Sequence, residues 1–272
     1  MFESKLDQAA GLRRLFAQRN VRVLPLISLD GGGDQIGFVV NLAAALAQLG
    51  QRTLLLDAER GQVAPLLGLR ARYDLIHLLS GDCRFKQVAL RARDGFWVMP
   101  AVRGLADVVR RNAPARDLFA GFGNLPEAFD TVLAYAPAPV LVPLLSGCAQ
   151  DLTLISGTEA WQVAQVYGQI KALHASYGIR RFRLVYCRAT SPAAAATAHE
   201  RLASASGRFL GVDVMFCGVV EDGRELAAAE RSGTSVFSVS ADSDAARAFR
   251  RIATLSLDWP LPEFAGQADS VH

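Results

Sequence analysis

Residues 24–59 read LPLISLDGGGDQIGFVVNLAAALAQLGQRTLLLDAE: an apolar strand, a glycine loop, a helix and a second apolar strand ending on Asp57. In a strand–glycine loop–helix–strand unit, backbone N–H groups and a helix N-terminus can cradle phosphate. A working loop of that kind carries Lys near position 35 and Ser or Thr at 36, to hold the β/γ-phosphates and Mg²⁺. Here those positions are Gln35, which has no charge, and Ile36, which has no oxygen. Asp30 and Asp34 flank Gly31, Gly32 and Gly33, and two carboxylates repel a polyphosphate. The scaffold is that of a nucleotide-binding protein, with its active groups replaced.

The stretch resembles the deviant phosphate loop of the MinD/ParA family, usually KGGxGKTT followed by a VNLAxALAxxG helix and an LLLDAD strand. The flanks Val40-Asn41-Leu42-Ala43 and Leu56-Asp57-Ala58-Glu59 match. On this resemblance the signature Lys falls on Asp30, the catalytic-loop Lys on Gln35 and the metal-binding Thr on Ile36. The fold it implies is α/β: a doubly wound, mostly parallel sheet with helices on both faces, P-loop NTPase-like.

Bulk properties agree with that class. The chain has 272 residues, 51% of them hydrophobic, enough for one large α/β domain. A net charge of +3 leaves no strong nucleic-acid footprint. Cys83, Cys148, Cys187 and Cys217 are widely spaced without a CxxC, which argues against disulfides and a metal cluster and for a cytosolic setting. No apolar run approaches a membrane span and no signal peptide follows Met1. His77, His174, His199 and His272 form no arrangement that suggests catalysis.

Upstream, Ser4 and Asp7 form a capping-box-like start, and Phe2, Leu6, Ala9, Leu12 and Phe16 recur at helical spacing. Residues 1–20 are expected to be a helix. Asp7-Gln8-Ala9-Ala10-Gly11-Leu12-Arg13 is similar to the DQAxxLR motif that opens FlhG/FleN proteins, the flagellar-number branch of the MinD family. That resemblance implies docking on an FlhF-like, SRP-type GTPase through Asp7, Gln8, Ala9, Leu12 and Arg13. Gln8 would assist GTP hydrolysis, since a carboxamide can accept from and donate to an attacking water.

Downstream, strands are expected at 21–29, 52–57, within 88–100, and at 129–135, 153–155, 182–188 and 212–220. Helices are expected at 38–49 with Gly50 as C-cap, at 103–128 broken at Pro114 and Gly121–Gly123, around 170, and at 191–206, 225–231 and 243–257. The family's switch Asp maps to Tyr135, and a phenol cannot hold Mg²⁺ through water as a carboxylate does. Ala136-Pro137-Ala138-Pro139 reads as a rigid loop. The adenine-reading Asn maps to Cys187, a poor hydrogen-bond partner, and the Pro of a "GxIPxD" turn maps to Val220. The last helix carries Arg247, Arg250 and Arg251 beside Phe249 and Ile252. It reads as a closing helix with a solvated basic edge, the alternative being weak peripheral contact with anionic lipid. Residues 21–259 would form the MinD-like domain and 260–272 a flexible tail.

Five replaced contacts, each charge-assisted one worth about 1.5–3 kcal/mol, predict that ATP and Mg binding is lost, with no cofactor and no metal. The expected function is a non-catalytic, cytoplasmic FlhG-like regulator of flagellar number or placement, recruited to the membrane or flagellar pole through partners. Flagellar switch or transcription-regulator proteins are further candidate partners, and the protein would be a monomer or a nucleotide-independent oligomer. The alternatives are a residual MinD-type ATPase that dimerises on nucleotide and binds membrane, and an accessory of another secretion or polysaccharide system.

Overall fold

In this computed structural model residues 21–28, 33–123, 125, 128–145 and 151–259 are described. The expectations for residues 1–20 and 260–272, and for Asp30, Gly31 and Gly32, lie outside them. In chain order the elements are β1 (Arg22–Ser28), α1 (Gly33–Gln48), β2 (Thr53–Asp57), α2 (Val63–Leu66), α3 (Leu75–Leu79), α4 (Phe85–Val88), β3 (Leu90–Arg91) and β4 (Trp97–Pro100). Then follow α5 (Val102–Arg110), α6 (Ala115–Gly123), β5 (Thr131–Pro137), α7 (Ala138–Leu144), β6 (Leu152–Ser156) and α8 (Ala160–Tyr177). The chain continues with β7 (Arg181–Ala189), α9 (Pro192–Leu210), β8 (Asp213–Glu221), α10 (Arg224–Arg231), α11 (Val236–Val239) and α12 (Asp244–Leu257).

The sheet order is β3-β4-β2-β5-β1-β6-β7-β8. Every pair is parallel except β3 with β4. Both faces of the central strands are covered, which is why β2 and β5 are near-continuous apolar runs instead of alternating ones. Alternate side chains feed two cores. Val132, Ala134 and Ala136 of β5 join α5, α7, α8 and α9, whereas Leu133 and Tyr135 join α1 and α12. Helix α12 lies along α1, with Phe249 and Phe38 ring centroids 5.4 Å apart. The doubly wound α/β architecture is therefore as expected.

Polar anchors fix the helices. Asp74 caps α3, accepting from Ile76 N at 3.0 Å, and also accepts from Gly104 N of α5 at 2.8 Å. Gly104 has to be glycine, since a Cβ there would stand 2.5 Å from Leu75 Cβ. At the N-terminal edge of the sheet, buried Arg183 pairs with Asp151 at 2.7 Å and stacks 4.4 Å from the Trp259 ring. Arg22 donates to the Trp259 carbonyl.

Three boundaries differ from the sequence reading. Helix α1 starts at Gly33, not Phe38. Its glycines are poor helix formers, but burial of the first turns outweighs propensity. Gly121–Gly123 form the last turn of α6, which ends at Gly123 with Phe119 and Phe122 buried in the core, and described residues 125 and 128 are not helical. The rigid loop expected at 136–139 is not a loop. Pro137 ends β5, where its missing N–H costs nothing, and Pro139 sits in the first turn of α7, where that N–H has no intrahelical partner.

Candidate functional site at the loop edge of the sheet

Open parallel sheets hold ligands outside the carboxyl ends of their strands, where the chain switches direction. Here that place lies over β1, β5 and β2, beside the first turns of α1. The register puts Tyr135 next to Leu26 of β1 on one side and Asp57 of β2 on the other.

Gln35 is only 6% exposed and Tyr135 2%. Tyr135 Oη stands 3.5 Å from Gln35 Oε1, a long contact in which the phenol donates. Burial pushes the Tyr135 phenol well above its ordinary pKa, and the nearby charges of Glu59 and Asp57 push the same way against Arg60. It therefore stays a neutral donor. Ile36 packs against the α1–α12 core. Gly33 and Asp34 belong to the first turn of α1.

Asp57 is 1% exposed. Its Oδ2 accepts from Val63 N at 2.9 Å, holding the start of α2, and its Oδ1 has no hydrogen-bond partner. Burial raises the carboxyl pKa, opposed by the backbone N–H groups of Val63, Glu59 and Gly61. A buried carboxylate with one unsatisfied oxygen is costly.

The flank of the edge is closed by an ion-pair network that the sequence did not announce. Arg188, directly after buried Cys187, takes a left-handed backbone (φ 56°). Its guanidinium donates to Asp222 at 2.9 Å and to Glu230 of α10 at 2.5 Å. Glu230 in turn lies on α1: a Cβ at Gly37 would stand 2.9 Å from its Oε1. The Glu230 carboxylate, held by Arg188, thus fills the space beside Gly37. Left-handed backbone at a non-glycine residue is a weak sequence signal, so this feature needed the tertiary structure.

Asn41 of the "VNLA" stretch also acquires a role. Its Nδ2 donates to Gly37 O at 2.8 Å and its Oδ1 accepts from Val236 N at 2.7 Å, tying α11 to α1. A buried Asn inside an otherwise apolar helix was the readable signal. Of the residues named on the last helix, Phe249 and Ile252 are buried against α1 and β8, and Arg250 covers the Phe237 ring at 5.2 Å. Arg247, which pairs with Asp244, and Arg251 are exposed. Most of the apolar side of α12 is buried inside the protein, with Leu255 left exposed. Among the described residues no helix is long and apolar enough to cross a membrane.

A Mg-nucleotide needs a cation and a hydroxyl at the head of α1 and a carboxylate that holds the metal's water. Among the described residues, Gln35, Ile36 and the neutral Tyr135 phenol bring none of these groups. Asp57 keeps a carboxylate at this edge.

No family model matches the chain. It is 28% identical to the antiactivator FleN of Pseudomonas aeruginosa over 256 residues, covering 92% of this chain and 91% of that protein. Among solved structures it is similar to the MinC:MinD cell division complex of Aquifex aeolicus, with a TM-score of 0.66 at 20% identity, covering 89% of this chain and 98% of that one. It is also similar to the septum site-determining protein MinD with Mg-ADP from Pyrococcus horikoshii, at a TM-score of 0.61 and 18% identity, covering 88% and 96%. The eight-stranded sheet, the strand order and a sequence likeness running nearly end to end give the chain the MinD/ParA-type P-loop fold in a form that resembles FleN.

Proposed function

We propose that this chain is a non-catalytic regulator of the FlhG/FleN kind, which works by contacting protein partners and not by turning over ATP. The observation that carries the reading is the head of α1: buried Gln35 faces the Tyr135 hydroxyl where a phosphate-holding lysine and a metal-ordering carboxylate would be needed. The likeness to a protein named an antiactivator supports regulation of a transcription activator or of flagellar assembly. Residues 7–13 engage an FlhF-like SRP-type GTPase, with Gln8 as the group offered to its active site. The protein acts in the cytoplasm and reaches membrane or pole only through such partners.

A thermal-unfolding scan with and without excess Mg-ATP tests the first half. A ligand at about 100 times its Kd stabilises by about 2.7 kcal/mol, which raises the midpoint of a domain this size by roughly 5–10 °C. We expect no shift, and a clear one defeats the pseudo-ATPase reading. For the second half, Gln8→Ala should abolish stimulation of the partner GTPase; unchanged stimulation removes the role given to Gln8.

A second reading, a residual nucleotide switch, is favoured by one observation: the unpartnered Oδ1 of Asp57 at the strand end. A positive shift in the same scan would select it.

A further inference from the structure

A groove of about 700 Å³ opens at the far end of α1, between that helix, the β3–β4 hairpin and α11. Sixteen helical residues, about 24 Å of helix, separate it from the loop edge. Its walls carry Arg52, Arg91 and Arg93 against a single carboxylate, Asp94.

The charges are not equally available. Arg52 is held by Asp130 in a two-pronged pair, Nε to Oδ2 at 2.9 Å and Nη2 to Oδ1 at 2.5 Å. Asp94 accepts from Thr234 Oγ1 at 3.3 Å, from Ser235 N at 3.2 Å and from Ser238 Oγ, so its work is to fasten α11. Arg91 and Arg93 are exposed and belong to no ion pair among the described residues. The floor is apolar: Trp97 and Phe237. The guanidinium of Arg91 lies over the Trp97 ring at 6.0 Å, and that of Arg250 over Phe237 at 5.2 Å.

We infer that this groove is a docking surface for an extended acidic segment of a partner protein, whose carboxylates meet Arg91 and Arg93. Guanidinium groups match carboxylates in a planar fork, which suits them to that recognition. Nucleic acid fits less well, because single strands bind by stacking bases on open aromatic faces. Here both rings are already covered by the chain's own arginines. The surface lies at the opposite sheet end from the loop edge and does not depend on the fate of that site.

The test uses the full chain and a fluorescein-labelled heptapeptide of alternating glutamate and leucine, read by anisotropy. Arg91→Glu with Arg93→Glu should weaken binding about tenfold or more, two exposed charge contacts being lost. Arg247→Glu with Arg251→Glu, on exposed α12, should change it less than about twofold if the two arginine pairs are independent sites. All four side chains are exposed, so the unfolding midpoints of both variants should stay close to that of the parent chain. If the double change at 91 and 93 disturbs folding, Arg93→Glu alone should still weaken the peptide severalfold. Equal weakening by both pairs would reduce the effect to general electrostatics and overturn the inference. So would displacement of the peptide by a single-stranded DNA oligomer. Peptide binding that occurs only in a chain ending at Trp259 would overturn it too, by giving the groove to residues 260–272.

Discussion

The two ends of the first turns of α1 tell different stories. Asn41, about two turns in, matches the family pattern and spends both ends of its carboxamide on backbone, Gly37 O and Val236 N. Gln35, at the head of the helix, departs from the pattern and receives a long 3.5 Å contact from the Tyr135 hydroxyl. Asp57 and Asp74 side with Asn41: each holds the start of a helix through backbone N–H groups. Asn41, Asp57 and Asp74 thus hold backbone that the fold itself needs, whereas the head of α1 carries side chains that depart from the motif.

That contrast can be broken at either side. Asn41→Ala should have the largest effect. It leaves the Val236 N–H buried without its acceptor, a loss of about 2 kcal/mol, and lowers the unfolding midpoint by roughly 4–8 °C. A midpoint within a degree of the parent chain would show that Asn41 is no more structural than Gln35.

Asp57→Asn should act in the opposite direction. Burial raises the folded-state pKa of Asp57 above its ordinary value. A carboxyl raised in this way contributes stability in its protonated form, at pH below the ordinary carboxylate value, and that contribution is lost as pH rises through the folded value. At neutral pH the buried charge is therefore a cost. The asparagine oxygen can still accept from Val63 N, so the variant should be more stable than the parent at pH 7, with the difference shrinking as pH falls into the carboxylate range. Denaturant titrations at pH 7 and pH 4 measure it. A variant less stable at pH 7 would mean that the Asp57 charge is compensated in solution.

Tyr135→Phe should be the smallest. A 3.5 Å contact is at the limit of a hydrogen bond, so losing it should cost about 0.5 kcal/mol or less. A loss of 2 kcal/mol or more would show that the phenol anchors the head of α1, and would move Tyr135 from the replaced group to the structural one.

Much of this was readable in residues 24–59. The doubly wound sheet followed from apolar runs alternating with helical stretches, and the altered loop from single residue types at 35, 36 and 135. Element ends were less readable. The start of α1, the end of α6 at Gly123 and the turn of β5 straight into α7 all depart from the local preference of Gly and Pro. Burial of Gln35, Phe119 and Phe122, and a proline placed where no N–H is needed, outweighed that preference.

The sequence by itself determined which chemical groups stand at the head of α1, because side-chain identity fixes charge and donor capacity wherever the chain goes. Only the tertiary structure decided what those groups meet. Arg188 reaches Glu230 across 42 positions, Glu230 closes on Gly37, and Asp94 fastens α11 across more than 140. Such pairings are set by strand order and helix packing, and no local pattern of residues encodes them.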